Sequence, residues 1–90
     1  MNTTKNKPII TLRDRGLKAS VWRDHDKQGK PYYPVTITRT YKDDQGNYHD
    51  TDRLLGDELL RMARLCERAY DIALQYRHQD KQQASTPDAA

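Results

Sequence analysis

Between Lys18 and Tyr48, cationic and aromatic side chains interleave: Lys18, Trp22, Arg23, Lys27, Lys30, Tyr32, Arg39, Tyr41, Lys42 and Tyr48. Ammonium and guanidinium groups neutralise phosphates, and aromatic rings stack on bases at roughly 1–3 kcal/mol per base. That mixture suits a single-stranded nucleic acid held by its backbone and by stacking, with little reading of base edges. The same residue types also make a solvated surface, and Trp22 can equally pack under a helix or a partner subunit, since large aromatics are highly buried on average.

Charge is distributed unevenly. The chain has 90 residues and a net charge of +3. Residues 1–42 carry ten Lys or Arg against three Asp, a balance of +7, and residues 43–90 carry six basic against ten acidic residues, a balance of −4. Local potential governs steering and phosphate neutralisation, so the positive half points to a polyanion or an acidic protein surface.

Catalytic and metal chemistry find little support. There is no phosphate-binding glycine loop, no paired-cysteine site and no nucleophile with a plausible base, so neither a catalytic residue nor a cofactor is expected. Asp24, His25 and Asp26 are consecutive, and in extended chain they cannot all aim at one ion. In a strand, His49 falls on the face opposite Asp50 and Asp52. The single cysteine, Cys66, has no companion at ligand or disulfide spacing and lies in a helical apolar pattern, which suits a reducing compartment. No run of about 18 apolar residues exists, and Met1 to Pro8 lacks the apolar centre of a signal peptide. A cytoplasmic protein without a membrane span is the expectation.

These side chains are positioned by strands. In Tyr32 to Tyr48 (YYPVTITRTYKDDQGNY), Tyr33, Val35, Ile37, Arg39 and Tyr41 alternate with Thr36, Thr38, Thr40 and Lys42. Asp43-Asp44-Gln45-Gly46 places Asp first and Gly fourth in a type I turn with a glycine bulge. If Asp43 faces Asn47, then Lys42 faces Tyr48, Tyr41 faces His49, Thr40 faces Asp50, Arg39 faces Thr51 and Thr38 faces Asp52. The alternation puts Arg39 on the apolar face, where its guanidinium needs a carboxylate or carbonyl partner. Leu17 to Arg23 alternates as well, with Leu17, Ala19 and Val21 opposite Lys18, Ser20 and Trp22. Ile9 to Leu12 reads as a short edge strand, and Asp24 to Pro31 as a polar hairpin connection bearing Lys27 and Lys30.

After Gly56 or Asp57 as cap, one helix is predicted to about Gln79. Leu59, Met62, Cys66, Ala69, Ala73 and Tyr76 form an apolar stripe, widened by Leu65 and Ile72. Leu60, Ala63, Tyr70 and Leu74 form a second set. So wide an apolar arc exceeds what one small sheet covers, which predicts a homodimer through the first stripe. The predicted organisation is a disordered basic arm over 1–8, one α+β domain over 9–79 and a disordered tail over 80–90. The domain is an antiparallel sheet of three to four strands followed by one long C-terminal helix.

This order of elements, together with ITRTYKDDQGNYHDT, resembles the positive cofactor four type of single-stranded-DNA-binding transcriptional coactivators. Ile37, Arg39, Tyr41 and the Asp43 to Gly46 turn carry the resemblance, which spans about Leu17 to Tyr76. It implies a curved antiparallel sheet that binds single strands as a dimer paired through its helices. That family tends to place basic and glycine residues after the turn, where this chain has Asp50 and Asp52. Nucleic acid is therefore expected to track the lysines and Trp22 and to avoid that arm. The chain also resembles small bacterial proteins with a VW strand, a PYY-V-RTY strand and a DTD segment before the helix, a likeness that names no function.

Two function classes follow. One is a non-enzymatic module for single-stranded DNA or RNA, in transcription regulation or DNA maintenance. The alternative is a dimeric protein-interaction module that never touches nucleic acid.

Overall fold

The computed structural model describes residues 7–85, with side chains described to residue 82. Residues 1–6 of the expected arm and 86–90 of the expected tail lie outside it.

Two turns that share Asp at the first position, Gln at the third and Gly at the fourth, Asp26-Lys27-Gln28-Gly29-Lys30 and Asp43-Asp44-Gln45-Gly46-Asn47, reverse the chain in the same way. After Asp26, the carboxylate Oδ1 accepts the Gln28 and Lys30 N–H groups at 2.8 and 2.9 Å. After Asp43, Oδ1 accepts those of Gln45 and Asn47, both at 2.9 Å. The glycines take φ of 85° and 86°, a left-handed conformation that costs other residues strain. The first turn joins β3 (Asp24–His25) to β4 (Pro31–Tyr32), a separate two-stranded sheet. The second joins β5 (Val35–Lys42) to β6 (Tyr48–Thr51).

Ahead of them, β1 (Ile10–Asp14) and β2 (Leu17–Val21) are connected through Arg15 and Gly16. The main sheet is antiparallel throughout, in the order β1-β2-β5-β6. Its last pair has the expected register, with Arg39 opposite Thr51, Thr40 opposite Asp50, Tyr41 opposite His49 and Lys42 opposite Tyr48. The strand ends at Thr51, so the expected Thr38–Asp52 pair does not belong to the ladder.

A 3-10 turn, Gly56–Glu58, leads into α1 (Leu59–Ser85, 27 residues). The carboxylate of Glu58 accepts the Leu55 N–H at 2.9 Å, so this end is tied by Glu58 with Leu55 at the cap position, rather than by Gly56 or Asp57 as expected. At the other end the helix outruns the expected stop at Gln79. Asp80 is held there by Arg23 at 2.8 Å and by the Tyr33 hydroxyl, long-range partners that hold this turn onto the fold. The expected tail over 80–90 therefore begins as helix.

The helix lies on one face of β1 and β2. Leu12, Leu17, Ala19 and Val21 from the strands meet Met62, Leu65 and Ala69, and Ile9, Tyr33, Leu54, Ile72 and Ala73 pack round this cluster. The fold is thus α+β, a four-stranded antiparallel sheet followed by one long helix. No helix among the described residues is long and apolar enough to cross a membrane.

The helix divides its apolar residues differently from the two stripes of the sequence. Met62 and Ala69 are buried in the protomer's own core, and Tyr76 lies against Tyr33 with ring centroids 5.7 Å apart. These members of the expected dimer seam are used within one chain. Leu59, Cys66, Tyr70 and Leu74 stay exposed. Helical periodicity shows that an arc is apolar, and only the placement of the sheet decides which part of it is covered.

Candidate nucleic-acid interface

The face of the sheet away from the helix is built by the alternate residues of each strand. Directly opposite partners share a face, which puts Thr11, Ser20 and Thr36 in one row and Arg13, Lys18 and Thr38 in the next. Thr40 with Asp50 and Lys42 with Tyr48 extend it onto β6. The surface is a field of hydroxyl groups holding Arg13, Lys18 and Lys42 against the single carboxylate of Asp50.

Trp22 lies at one end. Its indole Nε1–H donates to Thr36 Oγ1 at 2.9 Å, which places the ring on this open face, and the residue is half-buried. Its backbone N–H donates to the Pro34 carbonyl at 2.9 Å, so the ring is set by both backbone and side chain. Tyr48 lies at the β6 side, 70% exposed, with Lys42 Nζ 5.5 Å from its ring centroid.

Asp50 is the one anion among these strand positions, and it is engaged. The Thr40 hydroxyl donates to it at 2.6 Å and Lys18 Nζ at 3.3 Å. The Thr40 bond first, then the Lys18 bond, hold its carboxyl below the usual 3.8, and the Lys18 and Arg13 charges act in the same direction. Phosphate arriving here would compete with Asp50 for Lys18, whereas Arg13 is exposed and lies beside it. Arg13 lies in β1, just past the Ile9 to Leu12 run that reads as an edge strand. Its register opposite Lys18 is what brings it into the interface.

The remaining candidates separate from this face. Arg39 lies on the helix side, where its Nε stands 3.1 Å from a Glu58 carboxylate oxygen and its guanidinium lies 5.5 Å from the Tyr41 ring centroid. Tyr41 shares that side, tilted against His49 with centroids 5.4 Å apart. Two of the residues that carry the family resemblance, Arg39 and Tyr41, therefore do not join Trp22. Arg23 turns to Asp80 and to the face of Tyr33, 5.6 Å from its centroid. Burial first, then the hydrogen bond to Asp80, raise the Tyr33 hydroxyl above its usual range. Lys27, Lys30 and Tyr32 are exposed on the β3–β4 hairpin.

The metal candidates are also separated. Asp26 spends its carboxylate on its own turn, and His49 Nε2 is 2.7 Å from Asp43 Oδ2, on the side opposite Asp50. No group of three or more His, Cys, Asp or Glu among the described residues could hold a metal ion.

Comparison with known proteins adds no relative. No family model, no curated protein and no solved structure matches this chain. The functional reading accordingly stands on the geometry of the open face.

Proposed function

We propose that this protein is a non-enzymatic module that binds single-stranded nucleic acid on the open face of its sheet and works as a homodimer, in transcription regulation or DNA maintenance. One observation carries the reading: two aromatic rings, Trp22 and Tyr48, bracket Arg13, Lys18 and Lys42 on a threonine-rich surface that the helix leaves uncovered. Bases stack on the rings, the cations take phosphates, and the hydroxyl rows offer hydrogen bonds to sugar and phosphate oxygens without selecting a base. Lys27 and Lys30 on the hairpin after Trp22 extend the cationic track.

Fluorescence anisotropy with a labelled single strand and its duplex, across a salt series, tests this. Each phosphate contact on a single strand contributes about 0.7 to the slope of log affinity against log salt, so Lys18→Ala with Lys42→Ala should lower that slope by about 1.4. An unchanged slope, or binding insensitive to salt, refutes the assignment. The uncovered apolar side of α1 favours a second reading, a protein-interaction module. Retention of an acidic protein after nuclease treatment, without oligonucleotide binding, would select it.

A further inference from the structure

Asp50 is the residue of the open face that phosphate binding leaves without a task. A carboxylate weakens any site for a polyanion, yet this one is held in place rather than turned away. Thr40 Oγ1 donates to its Oδ1 at 2.6 Å and Lys18 Nζ to its Oδ2 at 3.3 Å, and the side chain remains 52% exposed. Each carboxylate oxygen can accept a second hydrogen bond, so the pair still has an acceptor on each oxygen for a ligand.

The groups along this edge run donor, acceptor, acceptor: the Lys18 ammonium, then Oδ2, then Oδ1. The Watson–Crick edge of guanine presents the complement, with O6 accepting and N1–H and N2–H donating side by side. Among the bases only guanine offers a carboxylate two adjacent N–H groups on different nitrogens. Adenine and cytosine each offer one amino group there, and thymine or uracil one imino N–H flanked by carbonyl oxygens that Asp50 repels.

Tyr48 supplies a surface for such a base. It precedes Asp50 on β6 on the same side of the sheet, about 7 Å along the strand, and is 70% exposed. A neutral base is also what the surroundings favour. A guanidinium, the other planar pair of donors, would meet the charges of Arg13, Lys18 and Lys42 on the same face.

We infer that Asp50, with Lys18, reads guanine: the carboxylate takes N1–H and N2–H, Lys18 donates to O6, and the ring stacks on Tyr48. This rests on the open-face reading above and adds to it one base that the face selects. It also supplies a reason for preferring single strands, since in a duplex these three groups of guanine are spent on cytosine.

The test is fluorescence anisotropy of the full chain with labelled oligothymidylates of about ten nucleotides, a length within the span of ordinary single-strand sites. The central position carries dT, dG, dA, dC or deoxyinosine. The dG strand should bind roughly fivefold to tenfold more tightly than the dT strand, the low end for a bidentate base contact because Asp50 is half exposed. Deoxyinosine, which lacks only the N2 amino group, should lose most of that gain, and dA and dC should bind like dT. Asp50→Asn should bind the dT strand more tightly than the unmodified chain does, since it removes the anion and releases Lys18, and should no longer distinguish dG from dT. That gain of affinity cannot come from a damaged fold. Equal binding of dG and dT by the unmodified chain, deoxyinosine as good as dG, or a dG preference that persists in Asp50→Asn would each overturn the guanine assignment and leave the open-face reading standing. Failure to bind any of the strands at low salt would overturn that reading and this inference with it.

Discussion

Replacing Gly16 by alanine should be among the most damaging single-atom changes available to this fold. A Cβ on Gly16 would stand 2.8 Å from the backbone carbonyl oxygen of Thr40, closer than real Cβ contacts, and a main-chain atom cannot rotate away. At the same point the Thr40 N–H donates to the Gly16 carbonyl at 2.8 Å, so the β1–β2 turn is tied to β5 where the methyl must fit. Relieving the clash forces a backbone shift worth about 1–3 kcal/mol, and the strained or lost hydrogen bond adds about 0.5–1.5 kcal/mol. The expected loss is ~2–4 kcal/mol, a large share of the 5–15 kcal/mol typical of native proteins. For a chain of this size that lowers Tm by about 10–25 °C. Gly46→Ala is the control. It has nothing within 4 Å and pays only for φ of 86°, about 1–2 kcal/mol. Thermal melts followed by circular dichroism decide the matter. If Gly16→Ala is no more destabilising than Gly46→Ala, the reasoning from the close approach is refuted.

Other perturbations separate the roles assigned above. Met62→Ala opens a cavity in the core and should cost about 2–5 kcal/mol in urea unfolding, whereas Leu60→Ala, at a residue 80% exposed, should change stability by less than about 0.5 kcal/mol. The hydrogen bond from His49 holds Asp43 below its usual 3.8, and that from Thr40 does so for Asp50. Depressed carboxyl values mean stability that is complete above pH 3.8 and falls away as pH drops through the lower folded values. Melts between about pH 5 and pH 2 should show that loss, and Asp43→Asn with Asp50→Asn should flatten it. An equally steep acid loss in the double variant would contradict these two sites as its source.

The β5–β6 hairpin was legible because two independent signals agreed. Strict alternation from Tyr33 to Lys42 fixed the faces, and Asp43 with Gly46 fixed the turn, so the whole ladder to Thr51 followed. The carboxylate demanded by Arg39 on an apolar face was also foreseeable in kind, though Glu58 as the supplier was not, since that depends on where the helix starts over the sheet. The parts that escaped sequence reading are tertiary. Asp80 sits in a polar stretch that reads as tail, and only Arg23 and Tyr33, distant in sequence on either side of the β3–β4 hairpin, make it an anchor. The apolar helix arc was evident, but period alone could not say that Met62 and Ala69 go inward while Leu59 and Cys66 remain open. The candidate interface divided for the same reason: Lys18, Trp22, Lys42 and Tyr48 share a face by alternation, and Arg13 joins them only through the β1–β2 register.

The central claim is that the open face is a stacking platform, and the most direct test is the emission of Trp22, the only tryptophan in the chain, during titration with a single-stranded oligonucleotide at low salt. The account predicts saturable quenching that is reversed by added salt, and that is weaker for Lys18→Ala with Lys42→Ala. Unchanged emission at low salt, with nucleic acid in excess, would contradict it.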